Sequence, residues 1–331
     1  MSEFSEAPLL SLSGVERTFG GGRTLFGGKL PSVHAVQGIS FEVRRGETLG
    51  IVGESGCGKS TLGRMLTGLD RPTGGSITFD GEDLLDLIKA GHRNVSRRIQ
   101  YVFQDPLASL NPRKTIRTIL EAPLIHLLKL NNDQREERLK ELMQAVNLAP
   151  EFLDRYPHEF SGGQAQRIGI ARALAADPEL IVLDEPVSAL DVSVQAQVLN
   201  ILDDLKEKFG LTFLFISHDL SVVESVSDRV VVLYFGRVAE IAPAKALFKQ
   251  PRHHYTRLLL NSAPAPGRRS LAAEDAEAEL PDPYNPPAGC AFYARCPARS
   301  DKCNSVIPEL EPASGDGQHL AACHHPELAS V

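Results

Sequence analysis

No stretch of this chain is apolar for long enough to cross a bilayer. About 18–20 such residues would be needed, and the longest runs are short stretches such as LIVL and FLFI. A membrane-spanning helix is therefore not expected, although docking onto a membrane protein stays open. A basic excess is also missing: 35 Lys and Arg stand against 42 Asp and Glu, a net charge of −7. That balance argues against a nucleic-acid groove. The opening residues, MSEFSEAPLL, carry neither a basic stretch nor an apolar segment, so no secretory signal is expected and the chain should stay in the cytosol. Internal repeats are absent. Cysteine is scarce, five residues in 331, yet Cys290, Cys296, Cys303 and Cys323 all fall within the last 42. In a reducing compartment such a cluster reads as a metal site before it reads as disulfides.

What the chain does have is a series of short, continuous apolar runs. TLGIV (48–52), IQYVF (99–103), LIVL (180–183), FLFI (213–216) and VVVLY (230–234) fit strands buried on both faces, as in a parallel sheet covered by helices. Helical patterns separate them, so the fold class is α/β. Near the N-terminus Ile39, Phe41 and Val43 alternate with smaller or polar residues, a half-buried strand. The glycine-rich FGGGRTLFGGKLPS before it reads as a mobile hairpin connection. Between Gln104 and Phe160 strand signals stop. There Leu139, Leu142, Met143 and Val146 recur at helical spacing, which predicts an amphipathic helix in a helical insertion. From Pro264 to Pro287 the composition turns acidic and rich in proline and alanine, a linker.

GESGCGKST, Gly53 to Thr61, follows an apolar strand and precedes a helical pattern. In that context G-x-x-x-x-G-K-[ST] is a phosphate-binding loop. Gly53, Gly56 and Gly58 let the backbone fold tightly, so that N–H groups of the loop, including Glu54, Ser55 and Cys57, turn toward phosphate oxygens. Lys59 reaches for the β- and γ-phosphates, and the Ser60 hydroxyl, next to Thr61, is a Mg²⁺ ligand. A second magnesium anchor is expected at the end of a neighbouring strand, and Asp184 in LIVLDEP stands there. Glu185, one residue further and aimed differently, is placed to polarise an attacking water as general base. His218 and Gln104 follow buried strands in the same manner. His218 is a candidate beside the γ-phosphate, and Gln104 for Mg²⁺ and the water.

A second glycine-rich helix opening, FSGGQAQRIGIARALA, lies about a hundred residues later. Ser161 caps the helix, Gly162 and Gly163 permit close backbone approach, and Ile168, Ala171 and Leu174 form a buried stripe. An ordinary capped helix accounts for the same residues, and geometry alone does not decide between the two.

GESGCGKST, FSGGQAQRIGIARAL, LIVLDEP, SALD and ISHD in this order resemble the ATP-binding subunit of an ABC transporter. The resemblance implies a P-loop NTPase with an N-terminal antiparallel β-subdomain, a parallel-sheet core, a helical subdomain at about 105–175 and a small cysteine-rich C-terminal extension. Its expected boundaries are 1–260 for the ATPase domain, 261–288 for the linker and 289–331 for the extension. It further implies that two subunits face head to tail, the phosphate loop of one and the Ser161–Gln164 turn of the other clamping the same ATP. Gln104 would then link the nucleotide to the helical insertion, Glu185 would be the catalytic carboxylate and His218 would contact the γ-phosphate. Asp191 would reach across the dimer, and Phe19 would hold the place of the aromatic that stacks on adenine. Ala165 departs from the pattern, where a longer polar residue is usual.

YVFQDPLASLNPR, HHYTRLLLNSAP and the cysteine-rich ending are similar to the ATPases of bacterial oligopeptide and dipeptide importers, including relatives that import nickel or glutathione. This implies a peripheral subunit on the cytoplasmic face of the inner membrane. Its partners would be two permease subunits, a second identical or homologous ATPase and, through the permeases, an extracytoplasmic substrate-binding protein. The spacing C-x5-C-x6-C-x19-C lacks the C-x2–4-C pairs usual for zinc. Four thiolates also suit a [4Fe–4S] cluster, which the resemblance implies; Zn²⁺ is the alternative, and His319, His324 and His325 are possible replacement ligands. A competing function is a soluble ABC-type ATPase acting on ribosome or DNA. A single set of motifs and the lack of sustained heptads before Asp184 count against it.

Overall fold

The computed structural model describes residues 7–22, 30–262, 281–313 and 317–327. Positions 23–29 of the glycine-rich connection and 263–280 of the expected linker lie outside the described residues. The strands are β1 (Leu10–Gly20), β2 (Ser32–Val43), β3 (Thr48–Val52), β4 (Gly74–Phe79), β5 (Glu82–Asp83) and β6 (Ile99–Val102). After an all-helical stretch come β7 (Leu180–Asp184), β8 (Thr212–Ile216), β9 (Arg229–Tyr234), β10 (Arg237–Pro243), β11 (Glu311–Pro312) and β12 (Leu320–Ala321). The helices are α1 (Lys59–Leu66), α2 (Leu84–Ala90), α3 (His92–Arg98), α4 (Ile116–His126), α5 (Asn132–Ala145) and α6 (Gly162–Leu174). They continue as α7 (Val192–Phe209), α8 (Leu220–Val226), α9 (Ala244–Lys249), α10 (His254–Ser262) and α11 (Asp301–Ser305).

Two sheets result. An antiparallel one runs β2-β1-β4-β5, and a larger one runs β11-β12-β10-β9-β3-β8-β7-β6. Within the larger sheet β9, β3, β8, β7 and β6 are mutually parallel. Successive side chains of a strand point to opposite faces, and the continuous apolar runs follow from that rule. On β7, Leu180 and Val182 enter the core shared with the antiparallel sheet and α1, whereas Ile181 and Leu183 enter the core shared with α4–α8. Phe213 and Phe215 of β8 take the second face, Leu214 and Ile216 the first.

The helical stretch builds on the second core. Thr115 caps α4, and Asn131 with Gln134 forms a reciprocal cap on α5. Leu139, Leu142, Met143 and Val146 are fully buried, as the helical spacing predicts. α6 differs from its expected narrow stripe. Gly163, Ala165, Gln166, Gly169, Ile170 and Ala173 are buried along with Ile168, Ala171 and Leu174, so the helix is enclosed almost all round.

The C-terminal residues are not a free-standing appendage. β12 pairs antiparallel with β10, Glu240 opposite Ala321 and Ile241 opposite Leu320, which extends the central sheet. Phe292 is 2% exposed and belongs to the second core.

Candidate nucleotide site

Because β3, β8, β7 and β6 are parallel neighbours, their carboxyl ends line one edge of the sheet, where α/β proteins place ligands. The phosphate loop follows β3, His218 follows β8, Asp184 ends β7 and Gln104 follows β6. Four separate stretches of sequence thereby meet.

The loop's fold depends on its glycines. Gly53 has φ +157°, and a Cβ there would lie 2.2 Å from the Leu233 carbonyl oxygen. Gly58, at φ +100°, caps α1 in the left-handed region that favours glycine. Ser55, Gly56 and Ser60 are exposed, Thr61 is half-buried, and the Cys57 side chain turns into the core at 5% exposure. Burial pushes the Cys57 thiol up despite Lys59 nearby, which leaves it inert. The Lys59 ammonium donates to the carbonyls of Gly53 (2.6 Å) and Glu54 (2.9 Å).

Asp184 is 6% exposed and accepts two hydroxyls, Ser60 Oγ at 3.1 Å and Tyr101 at 2.6 Å. Burial and the adjacent carboxylate hold the Tyr101 phenol far above its ordinary range, so it stays a donor. The hydroxyl and carboxylate oxygens at this spot are hard donors of the kind Mg²⁺ takes. The next residue is turned elsewhere by its backbone: Glu185 sits at φ +48°, a conformation costing a non-glycine residue about 1–3 kcal/mol. Its N–H donates to Ile216 O at 2.9 Å. Its carboxylate pairs with His218 Nδ1 (3.0 Å) and accepts from Gln104 Nε2 (2.8 Å). Glu185, His218 and Gln104 thus form one connected group. Phe19 lies near the end of β1, 39% exposed, with the Arg17 guanidinium 4.4 Å from its ring centroid.

The second glycine turn faces outward. Ser161 and Gly162 are exposed, and the Ser161 and Gln164 side chains cap each other's backbone. Gly162 abuts Leu190, and a Cβ on Gly163 would stand 2.4 Å from Val194 Cγ1. Gly163 is therefore required by the chain's own packing. The SGGQ turn and the SALD loop share one patch of surface, where Asp191 is exposed without a capping bond and Val192 is 82% exposed.

The four C-terminal cysteines line one small cavity of about 10 Å³, together with His253, His254 and Phe292 among others. Burial pushes the Cys290 and Cys296 thiols up, and that of Cys323 to about 11. Among the described residues, however, no three His, Cys, Asp or Glu side chains stand ready as a metal-ligand set. The histidines expected as replacements have other partners. His319 Nε2 pairs with buried Glu240 at 2.5 Å, His324 Nε2 donates to Val306 O at 3.0 Å, and His325 Nε2 meets Ser300 Oγ at 2.8 Å. Three participants escaped the sequence reading: Tyr101, Tyr255 and Arg295, which grips the Glu54 carboxylate. The Glu54 N–H, expected to face phosphate, instead donates to the Tyr255 hydroxyl (2.9 Å), and the Cys57 N–H to Glu54 O (3.3 Å).

Comparison with known proteins gives the family. The ABC transporter family matches residues 36–188, and the oligopeptide/dipeptide transporter C-terminal region matches residues 239–303. The oligopeptide transport ATP-binding protein AppF of Bacillus subtilis is 49% identical over 328 residues, 98% of this chain and 99% of that one. The dipeptide transport ATP-binding protein DppF of Escherichia coli is 50% identical over 293 residues, covering 88% of this chain and 86% of the relative. The dimeric post-hydrolysis structure of the ATP-binding cassette MJ0796 with ADP and Pi superposes with a TM-score of 0.63 at 30% identity, over 71% of this chain and 98% of that one. With its loop, its strand-end acids and its outward glycine turn so arranged, the chain belongs to the ATP-hydrolysing, ATP-binding subunits of ABC transporters, in the group that carries the oligopeptide/dipeptide C-terminal region.

Proposed function

We propose that this chain hydrolyses ATP to energise uptake of di- or oligopeptides through two membrane permeases, working beside a second ATPase subunit at the cytoplasmic face of the inner membrane. An extracytoplasmic binding protein would deliver cargo to the permeases. The relatives named for oligopeptide and dipeptide transport, which align over nearly the whole chain, support the cargo class. Among the described residues no helix is long and apolar enough to span a membrane, in keeping with separate permeases.

The reading of a split site rests on where two glycine-rich helix openings stand in one chain. One edge of the sheet holds a phosphate loop and a connected Glu185–His218–Gln104 group, while a second glycine-rich helix opening points to solvent. Ser60, Asp184 and Gln104 would hold Mg²⁺, which neutralises phosphate charge. Glu185 takes the proton of the attacking water, His218 orients that carboxylate and meets the γ-phosphate, and Lys59 leaves the loop carbonyls for the phosphates. The Ser161 turn of a neighbouring subunit closes the enclosure, with Asp191 across the interface. Phe19, at the rim, receives the adenine. Binding draws the subunits together, hydrolysis lets them part, and the permeases follow. Membrane co-purification with identification of bound subunits tests this: permeases and a peptide-binding protein are expected, and a ribosome or DNA complex would overturn it.

We further infer a [4Fe–4S] cluster, or alternatively Zn²⁺, on Cys290, Cys296, Cys303 and Cys323. All four cysteines line the same small cavity, and thiolate chemistry suits soft metal. Bound there, it would tie the extension together. Anaerobically purified protein should show a broad visible absorbance with stoichiometric iron; stoichiometric zinc would decide for the alternative.

A further inference from the structure

Glu54, second residue of the phosphate loop, is held at both polar ends by the C-terminal part of the chain. Its N–H donates to the Tyr255 hydroxyl, and its carboxylate accepts a two-pronged bond from Arg295, Nη1 to Oε2 and Nη2 to Oε1, each 2.9 Å. The Arg295 side chain is only 6% exposed. Glu54 keeps more contact with water, its side chain being 27% exposed, but a two-pronged guanidinium–carboxylate bond is directional, and losing either partner removes it. The coupling extends inward, because the same Glu54 offers its carbonyl to the Lys59 ammonium.

The backbone around Arg295 is fixed in turn by hydrogen bonds between residues that include three of the cysteines. Arg295 ends a short turn, Tyr293–Arg295, in which Tyr293 N–H donates to Cys290 O (3.0 Å) and Cys296 N–H to Tyr293 O (3.2 Å). Cys290 N–H donates to Cys303 O at 2.7 Å, which closes the knot. Below the turn the rings of Tyr234, Tyr255 and Phe292 pack with centroids 4.4–5.5 Å apart, and the guanidinium lies 5.7 Å from the Phe292 centroid. A disturbance of the knot therefore moves Arg295, and a displaced Arg295 releases Glu54.

We propose that Arg295 is a positioning residue for the nucleotide: its grip on Glu54 presets the phosphate loop, so that ATP affinity follows the integrity of the cysteine-bracketed turn. Arg295 touches no reacting atom. It acts by raising the fraction of chains whose loop is ready to bind, and apparent affinity scales with that fraction.

The test is binding of a fluorescent ATP analogue with Mg²⁺ to the full-length chain. Arg295→Gln should weaken binding about tenfold, the effect of a tenfold fall in the ready fraction. Glu54→Gln should do the same, and the double variant should lose no more than either single one. Gly289→Ala, whose Cβ would stand 2.3 Å from the Cys303 carbonyl oxygen and so part the Cys290–Cys303 closure, should match Arg295→Gln, again without further loss in combination. In the assembled transporter, Arg295→Gln should raise KM for ATP while kcat holds. Native affinity in Arg295→Gln, or losses that multiply in the double variants, would overturn the proposal. Should Arg295→Gln fail to fold, Arg295→Lys decides: charge without the fork predicts an intermediate loss at a native melting temperature, and unchanged affinity refutes it.

Discussion

Asp184 and Glu185 are adjacent acids that the backbone sends to different tasks. Asp184 continues the strand and faces Ser60, whereas the left-handed conformation of Glu185 delivers its carboxylate to His218 and Gln104. Glu185→Gln keeps the shape but cannot accept the water's proton. Steady-state hydrolysis by the assembled transporter should fall by about 10²–10⁴-fold, the range of general-base effects, with ATP binding intact. Near-normal turnover would remove Glu185 from that role. Tyr101→Phe probes the other acid. It deletes one donor to buried Asp184, a loss of about 1 kcal/mol, and should raise the magnesium concentration for half-maximal hydrolysis about fivefold. An unshifted magnesium titration would show that Tyr101 does not set the anchor.

Elements differ in how plainly the sequence announces them. β3, β7, β8 and β9 are legible because both of their faces are buried, which writes them as unbroken apolar runs. β1 was not legible, since register shifts after Leu12, Val15 and Arg17 break its alternation. β6 ends at Val102, and the expected fifth residue, Phe103, is 40% exposed. The strand-end residues of the site could be read because parallel neighbours finish at a common edge. Tyr101, Tyr255 and Arg295 could not, as they act on partners 83, 201 and 241 residues away. One network joins the two sheets in the same long-range fashion: Glu179, just before β7, and Asp80, in the β4–β5 turn, share Arg98 and Arg45. Partial burial pushes the Glu179 carboxyl up, but the bonds from Arg98 and Arg45 outweigh it and hold it below the ordinary range. A carboxylate so shifted stabilises the fold above its unfolded pKa of about 4.5 and loses that contribution as pH falls through the lower folded value. Melting temperature should therefore drop on acidification below about pH 4.5, and Glu179→Gln should flatten that limb. An unchanged slope would mean the network carries no linkage.

At the scale of the whole molecule, the extension is pinned to the ATPase body by a buried acid. Glu240 is fully buried and accepts from the N–H groups of Arg252 (2.7 Å) and His253 (2.9 Å) besides His319. Glu240→Ala would leave those donors unpaired, at about 1–3 kcal/mol each. Limited proteolysis should then release the C-terminal residues well before the native protein is cut; equal resistance would show that β12 pairing suffices. The larger consequence concerns assembly. The phosphate loop and the acids lie at one edge of the sheet, while Ser161, Gly162, Asp191 and Val192 offer a separate exposed patch. On the proposed function, turnover would belong to a pair of subunits, each finishing the other's site. The most direct test is ATP hydrolysis by the Ser161→Arg chain in the assembled transporter, alongside nucleotide binding by the same chain alone. The account predicts a loss of about a hundredfold or more in hydrolysis, the size expected when donors to a transition-state oxyanion are removed, with binding to the single chain unchanged. Full-speed hydrolysis by that variant as a strict monomer would contradict it.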